Sequence, residues 1–195
     1  DGIATVPTTI VEPWSDEPTI ARSIDAALER SSIEGVVVKP AVGAGSRGAA
    51  AFRRDGERGR DAAIDHAGTL IAAGRGIVVQ PYQPAIDDGG ELAAVCFAGT
   101  FSHAARKAPI LDPDAGAEWR AAAEEGGELY VVESMSAATA DAEQVALAER
   151  AVAAAAERFG GLLYARVDLI ADDAGAPQVL ELELVEPFLF MGDAP

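Results

Sequence analysis

Tyr164-Ala165-Arg166-Val167-Asp168-Leu169-Ile170, the turn Asp172-Asp173-Ala174-Gly175-Ala176-Pro177, and Val179-Leu180-Glu181-Leu182-Glu183-Leu184-Val185 are the stretch on which the fold is decided. Polar and apolar residues alternate in the parts that matter, as in strands with two unlike faces, and the Asp, Gly and Pro between them suit a hairpin turn. Alternation puts Arg166 and Asp168 on one face of the first strand, and Glu181 and Glu183 on one face of the second. Pairing through the turn would bring three carboxylates and one guanidinium to a single patch. Carboxylates held that close repel unless a cation sits among them, and an oxygen-ligated ion such as Mg²⁺, or Mn²⁺ in its place, answers that need. The competing reading is a solvated strand face on which Arg166 pairs one acid.

Further upstream, Val36-Val37-Val38 reads as a buried strand that delivers Lys39 and Pro40 at its end. The loop after it holds Gly43, Gly45, Ser46, Arg47 and Gly48. Glycines let backbone N–H groups come close to a phosphate, and the lysine adds a compact positive charge. No Gly-Lys-Ser/Thr follows, so this is not a Walker loop. The G-x-G-x-x-G spacing follows a lysine and leads into a strand, so it is not a dinucleotide fingerprint either. An ordinary flexible turn is the alternative. Lys39 and Lys107 are the two lysines of a chain with net charge −17 and pI near 4.3. Such a surface repels nucleic acid and anionic lipid, and any bound phosphate must find a local basic cluster.

The remaining pattern is that of an α+β protein. Helices are expected from Ser15 or Asp16 to about Arg30, from Arg60 to Ala73, and from Thr139 or Asp141 to Phe159, where Gly160 stops the last. Further strands are expected at Ala49–Phe52, Ile77–Gln80, Leu92–Ala98 with Thr100–Ala105 around Gly99, and Leu129–Glu133; residues 109–127 read as a loop. A break near Gln80 divides the chain into a small lobe, 1–79, and a large lobe, 80–195. No apolar run approaches the roughly 20 residues that cross a bilayer, and a soluble cytoplasmic protein is expected. Cys96, alone in an apolar stretch, reads as core; His66 and His103 read as structural, and Trp14 and Trp119 as loop anchors.

The order strand–Lys–Pro–Gly loop, Gln80-Pro81-Tyr82, Gly90-Glu91, Arg106-Lys107, Arg-x-Asp and Glu-x-Glu resembles the ATP-grasp superfamily. Glutathione synthetase, D-alanine–D-alanine ligase and the ribosomal-protein glutamate ligases belong to it. The wording of Ser102-His103-Ala104-Ala105-Arg106-Lys107 and of Leu180 to Pro187 is most similar to actinobacterial ATP-grasp proteins of the D-cycloserine-forming kind. The resemblance runs over nearly the whole chain. It implies two α+β lobes with ATP and Mg²⁺ between them and an ADP-forming ligase that joins a small-molecule carboxylate to an amine-type nucleophile through an acyl phosphate, with homodimerisation left open. By the same resemblance Lys39 and the loop Gly43, Gly45, Ser46 and Gly48 take the phosphates, Gln80 and Tyr82 frame adenine, and Glu91 takes the ribose. Lys107, helped by Arg106, faces the phosphates. The resemblance further implies that Arg120 and Arg166 are the catalytic cations and that Asp168, Glu181 and Glu183 hold the metal. Two departures stand out: Glu183 replaces the asparagine common at that point of the motif, and the family's N-terminal substrate domain would precede Asp1. The alternative function is therefore a catalytically silent or truncated nucleotide-binding module.

Overall fold

The computed structural model describes residues 2–43, 46–54, 59–111, 113 and 134–192. Its contacts divide the chain into two units. Pro7–Pro84 make up most of one; Asp1–Val6, Ala85–Pro109 and Glu133–Pro195 make up the other. Gln80 lies inside a strand that runs on to Pro81, so the first unit continues past the break expected there and ends after Pro84.

The first unit is an antiparallel sheet of β1 (Thr9–Val11), β4 (Ile77–Pro81), β2 (Gly35–Pro40) and β3 (Ala50–Arg53), in that order. Helices α1 (Glu17–Arg30) and α2 (Gly59–Ala72) cover one face. Asp16 starts α1 by accepting the Thr19 N–H at 3.0 Å, and Ile20, Ile24, Ala27 and Leu28 fall on its buried side at helical spacing. They meet Val36 and Val38 of β2, Ile77 and Val79 of β4, and Phe52 of β3.

The second unit is a five-stranded antiparallel sheet in the order β7 (Met135–Ala138), β6 (Thr100–Lys107), β5 (Glu91–Phe97), β8 (Tyr164–Ala171), β9 (Pro177–Glu183). A short helix, α3 (Ala85–Gly89), precedes β5, and α4 (Ala142–Phe159) precedes β8. α4 opens with a capping box, Asp141 accepting from the N–H groups of Glu143 and Gln144 while the Gln144 side chain takes the Asp141 N–H. Leu147, Ala148, Ala151 and Val152 of this helix cover Leu92, Ala94, Cys96, Ala165, Val167 and Leu169 of the sheet. Cys96 is buried there, and burial pushes its thiol up to about 11, so it behaves as a small apolar residue. The N-terminal segment joins this unit because Val6 and Val179 are bonded through backbone groups, and Val179 donates to Ala4.

The expected strand at Leu129–Glu133 lies outside the described residues. β7 and α3 were not legible in the sequence: Met135-Ser136-Ala137-Ala138 is short and without alternation, and α3 is a single turn. Among the described residues no helix is long and apolar enough to cross a membrane.

Candidate functional site

Two β-bulges decide what the large sheet presents on the face away from α4. Asp168 pairs with Glu181 and Leu169 with Val179, so Leu180 is an extra residue in β9. The extra residue lets Val179 and Leu182 both pack toward α4 while Glu181 and Glu183 point the other way. On β6, Val95 pairs with His103 and Cys96 with Phe101, which makes Ser102 the extra residue. Phe101 therefore packs on the α4 side, and His103 turns to the opposite face.

On that face Arg166 sits opposite Glu183, Asp168 opposite both Glu181 and Ala93, and Glu91 opposite Lys107. Asp168 is 1% exposed and lies at the centre. Its Oδ1 accepts from Arg166 Nε at 2.8 Å, and its Oδ2 from Arg166 Nη2 at 3.0 Å and from Lys107 Nζ at 2.7 Å. Lys107 also pairs with Glu91 at 2.5 Å, and Arg166 Nη2 donates to Glu183. Ala93, a methyl group on the intervening strand, leaves Lys107 room to reach diagonally from β6 to β8. Burial opposes ionisation of Asp168, but Lys107 and Arg166 outweigh it and hold the carboxyl below its usual range. Glu91 and Glu183 are pushed up by burial, against the pull of Lys107 and Arg166 respectively. Burial likewise works against the Lys107 and Arg166 cations, and their carboxylate partners keep both above the ordinary values.

One carboxylate oxygen each from Asp168, Glu181 and Glu183 lies within 4.8 Å of the others. Side-chain rotation closes such a spacing to the roughly 4 Å span of an octahedral Mg²⁺ shell, and an all-oxygen donor set is the one that ion prefers. The charge count agrees. Glu91, Asp168, Glu181 and Glu183 carry four negative charges against the two positive charges of Lys107 and Arg166, and one divalent ion offsets the remainder. These residues fit a metal.

A segment after β9 folds back over this face. Phe190 is 3% exposed and packs with Ala93, Val95 and Ala105. Its ring lies 5.7 Å from the Arg166 guanidinium, while the Phe188 carbonyl accepts from Arg166 Nη1 at 3.3 Å. His103 Nε2 donates to the Leu189 carbonyl at 2.7 Å. Strand periodicity contains no sign of this strap; Pro187 and two phenylalanines after the hairpin are the only hint.

Other expected site residues are placed less compactly. Arg106 is next to Lys107 in the same strand, so alternation sends it to the other face, and the structure does not bring it to the carboxylates. In the first unit Lys39 lies on β2, half-buried opposite Val78, on the sheet face that the helices do not cover. Gly43 is exposed, Ser46 has φ 54, and Gly48 has φ 73, the left-handed region that favours glycine. Gln80 is buried, and its amide donates to Thr8 Oγ1 at 2.9 Å. Tyr82 is buried too. Its N–H goes to the Gly35 carbonyl at the start of β2 at 2.8 Å and its carbonyl accepts from Ser31 Oγ at the end of α1 at 2.9 Å, so both backbone groups are already engaged within the first unit. Gly45, Arg120 and Trp119 lie outside the described residues.

No family model matches the chain. It is 34% identical over 193 residues to the cycloserine biosynthesis protein DcsG of Streptomyces lavendulae, covering 96% of this chain and 59% of that protein. The crystal structure of D-cycloserine synthetase DcsG matches with TM-score 0.83 at 32% identity, over 100% of this chain and 61% of that one. The ATP-grasp ligase PsnB, solved with minimal precursor, Mg and ADP, matches with TM-score 0.58 at 19% identity, over 99% of this chain and 49% of its own. The chain has the ATP-grasp fold. D-alanine–D-alanine ligase from Bacillus anthracis, solved with ATP, shares the ATP-grasp fold at TM-score 0.56 and 19% identity, over 94% of this chain and 50% of that one. The chain thus spans about three-fifths of DcsG and half of the other two.

Proposed function

We propose that the chain binds Mg-ATP as the nucleotide-binding portion of an ADP-forming ligase, which activates a small carboxylate as an acyl phosphate and passes it to an amine-type nucleophile. The observation that carries this reading is the buried cluster in which Asp168, Glu181 and Glu183 converge beside Arg166. The 34% identity to DcsG over nearly the whole chain supports it.

In such a reaction the protein mostly positions and neutralises, so no side-chain nucleophile is required. Asp168, Glu181 and Glu183 would hold Mg²⁺, which when bound neutralises charge on the phosphate oxygens. Arg166, fixed by Asp168, Glu183, the Phe188 carbonyl and the Phe190 ring, offers a pre-oriented cation for charge that develops during acyl transfer. Lys39 would contact phosphate together with the loop that follows it. Glu91 and Lys107 are salt-bridged to each other, which makes them an electrostatic pair beside the metal ligands as well as candidates for ribose and phosphate.

The test is calorimetry of Mg-ATP binding, followed by ADP release with a panel of amino acids. Lys39→Ala is expected to weaken Mg-ATP more than about tenfold, a loss of roughly 1.4 kcal/mol. Asp168→Asn and Glu181→Gln are expected to abolish amino-acid-dependent ADP release. Binding without turnover in any condition would leave a nucleotide-binding module and remove the ligase; unaltered affinity in the Lys39 variant would remove that lysine from the site.

A further inference from the structure

Gly48 ends the loop after Lys39, and its carbonyl oxygen lies 2.8 Å from Nε2 of His66 on α2. A carbonyl can only accept, so Nε2 carries the proton. The imidazole is half-buried, with its centroid 5.7 Å from that of Phe52 on β3, so neighbouring groups limit its direction. Gly48 is itself seated tightly: a Cβ at this position would lie 3.0 Å from Pro40 Cγ and 3.3 Å from Leu70 Cδ2. Bare glycine backbone therefore rests in a notch formed by Pro40 on one side and α2 on the other. The Ala49 N–H donates to the Ser46 carbonyl at 3.0 Å, closing the turn that leads into it. Pro40 is the residue next to Lys39. A hydrogen bond from α2 thus holds the end of the loop against the neighbour of the proposed phosphate lysine.

We propose that His66 is a positioning residue for the nucleotide: its Nε2–H keeps Gly48 on Pro40 and so sets how Lys39 and the backbone of residues 46–48 meet a triphosphate. The inference rests on the Mg-ATP reading above. His66 does not touch the nucleotide; it acts through Gly48. The chemistry asked of it is that of a directed N–H donor, which a glutamine amide can supply at nearly the same reach and a phenylalanine cannot.

Mg-ATP affinity is measured by calorimetry on the chain, on His66→Phe, His66→Gln and Lys39→Ala, and on the Lys39→Ala/His66→Phe double variant, with ligand-free melting recorded for each. His66→Phe keeps the ring against Phe52 and loses the donor; its dissociation constant is expected to rise about three- to tenfold. His66→Gln is expected to stay within about twofold of the parent. The double variant is expected to bind no worse than Lys39→Ala, because both changes act on one arrangement. If His66→Phe does not fold, His66→Asn, whose shorter amide falls short of Gly48, carries the same expectation. Unchanged affinity in the donor-less variant, equal loss in the glutamine variant, or additive losses in the double variant would each overturn the proposal while leaving the nucleotide site standing. A parent chain that does not bind Mg-ATP would overturn both.

Discussion

Lys107 shows what one residue does in the site. Its ammonium lies between Glu91 and Asp168, and it is 7% exposed. Removing one partner from a buried ion cluster leaves the others desolvated without full compensation, which costs about 3–5 kcal/mol. Arg166 still holds both oxygens of Asp168, so the lower end applies here. Lys107→Met should therefore destabilise the second unit by about 3 kcal/mol in urea unfolding of the ligand-free chain. A loss under about 1 kcal/mol would mean that Arg166 alone carries Asp168. The sequence marked Lys107 as informative because lysine is so rare in it. What it did not contain was the reach across Ala93, which depends on how three separate strands register. By contrast, the shared face of Arg166, Asp168, Glu181 and Glu183 was legible from alternation and one turn.

Elements are held in place partly by contacts of this residue-level kind. In the first unit α1 and α2 are tied by Arg60, whose Nε and Nη2 donate to the Asp25 carboxylate at 2.6 and 2.9 Å. That hydrogen bonding, with the guanidinium charge, holds Asp25 below its usual value. A carboxyl with a folded pKa under its unfolded value, near 3.9, stabilises the fold above that pH and loses the contribution as pH falls through the folded pKa. Both side chains are 39% exposed, so solvent screening limits the tie to about 0.5–1 kcal/mol. Asp25→Asn should cost that much near neutral pH, and the gap to the parent should narrow as pH falls below about 4. A gap independent of pH would assign the effect to packing. The hydrophobic spacing that makes α1 and the cap that starts it were readable in advance. The bulges at Leu180 and Ser102 were not, because an extra residue in a strand carries no composition signal. Yet Leu180 is what lets Val179 and Leu182 face α4 while Glu181 and Glu183 face away.

For the whole molecule, charge is the governing quantity. The net charge is −17, and within that total the candidate metal cluster holds a local excess of two negative charges among its six ionisable groups. Self-repulsion of that kind lowers stability in the absence of a counter-ion, and a ligand that binds only the folded chain restores it, by about 2.7 kcal/mol at a hundred times its dissociation constant. If a divalent ion belongs there, a lysine placed at the rim should imitate its charge. Glu181 is exposed, so the longer side chain has room. Glu181→Lys removes one negative charge and adds one positive, which cancels the local excess. The ligand-free variant should therefore melt higher than the parent, by the equivalent of about 1 kcal/mol. Its melting temperature should no longer respond to Mg²⁺, whereas that of the parent rises with Mg²⁺ and falls back with EDTA. A variant that melts lower and still responds to Mg²⁺ would show that the ion binds elsewhere and that Glu181 serves the fold alone.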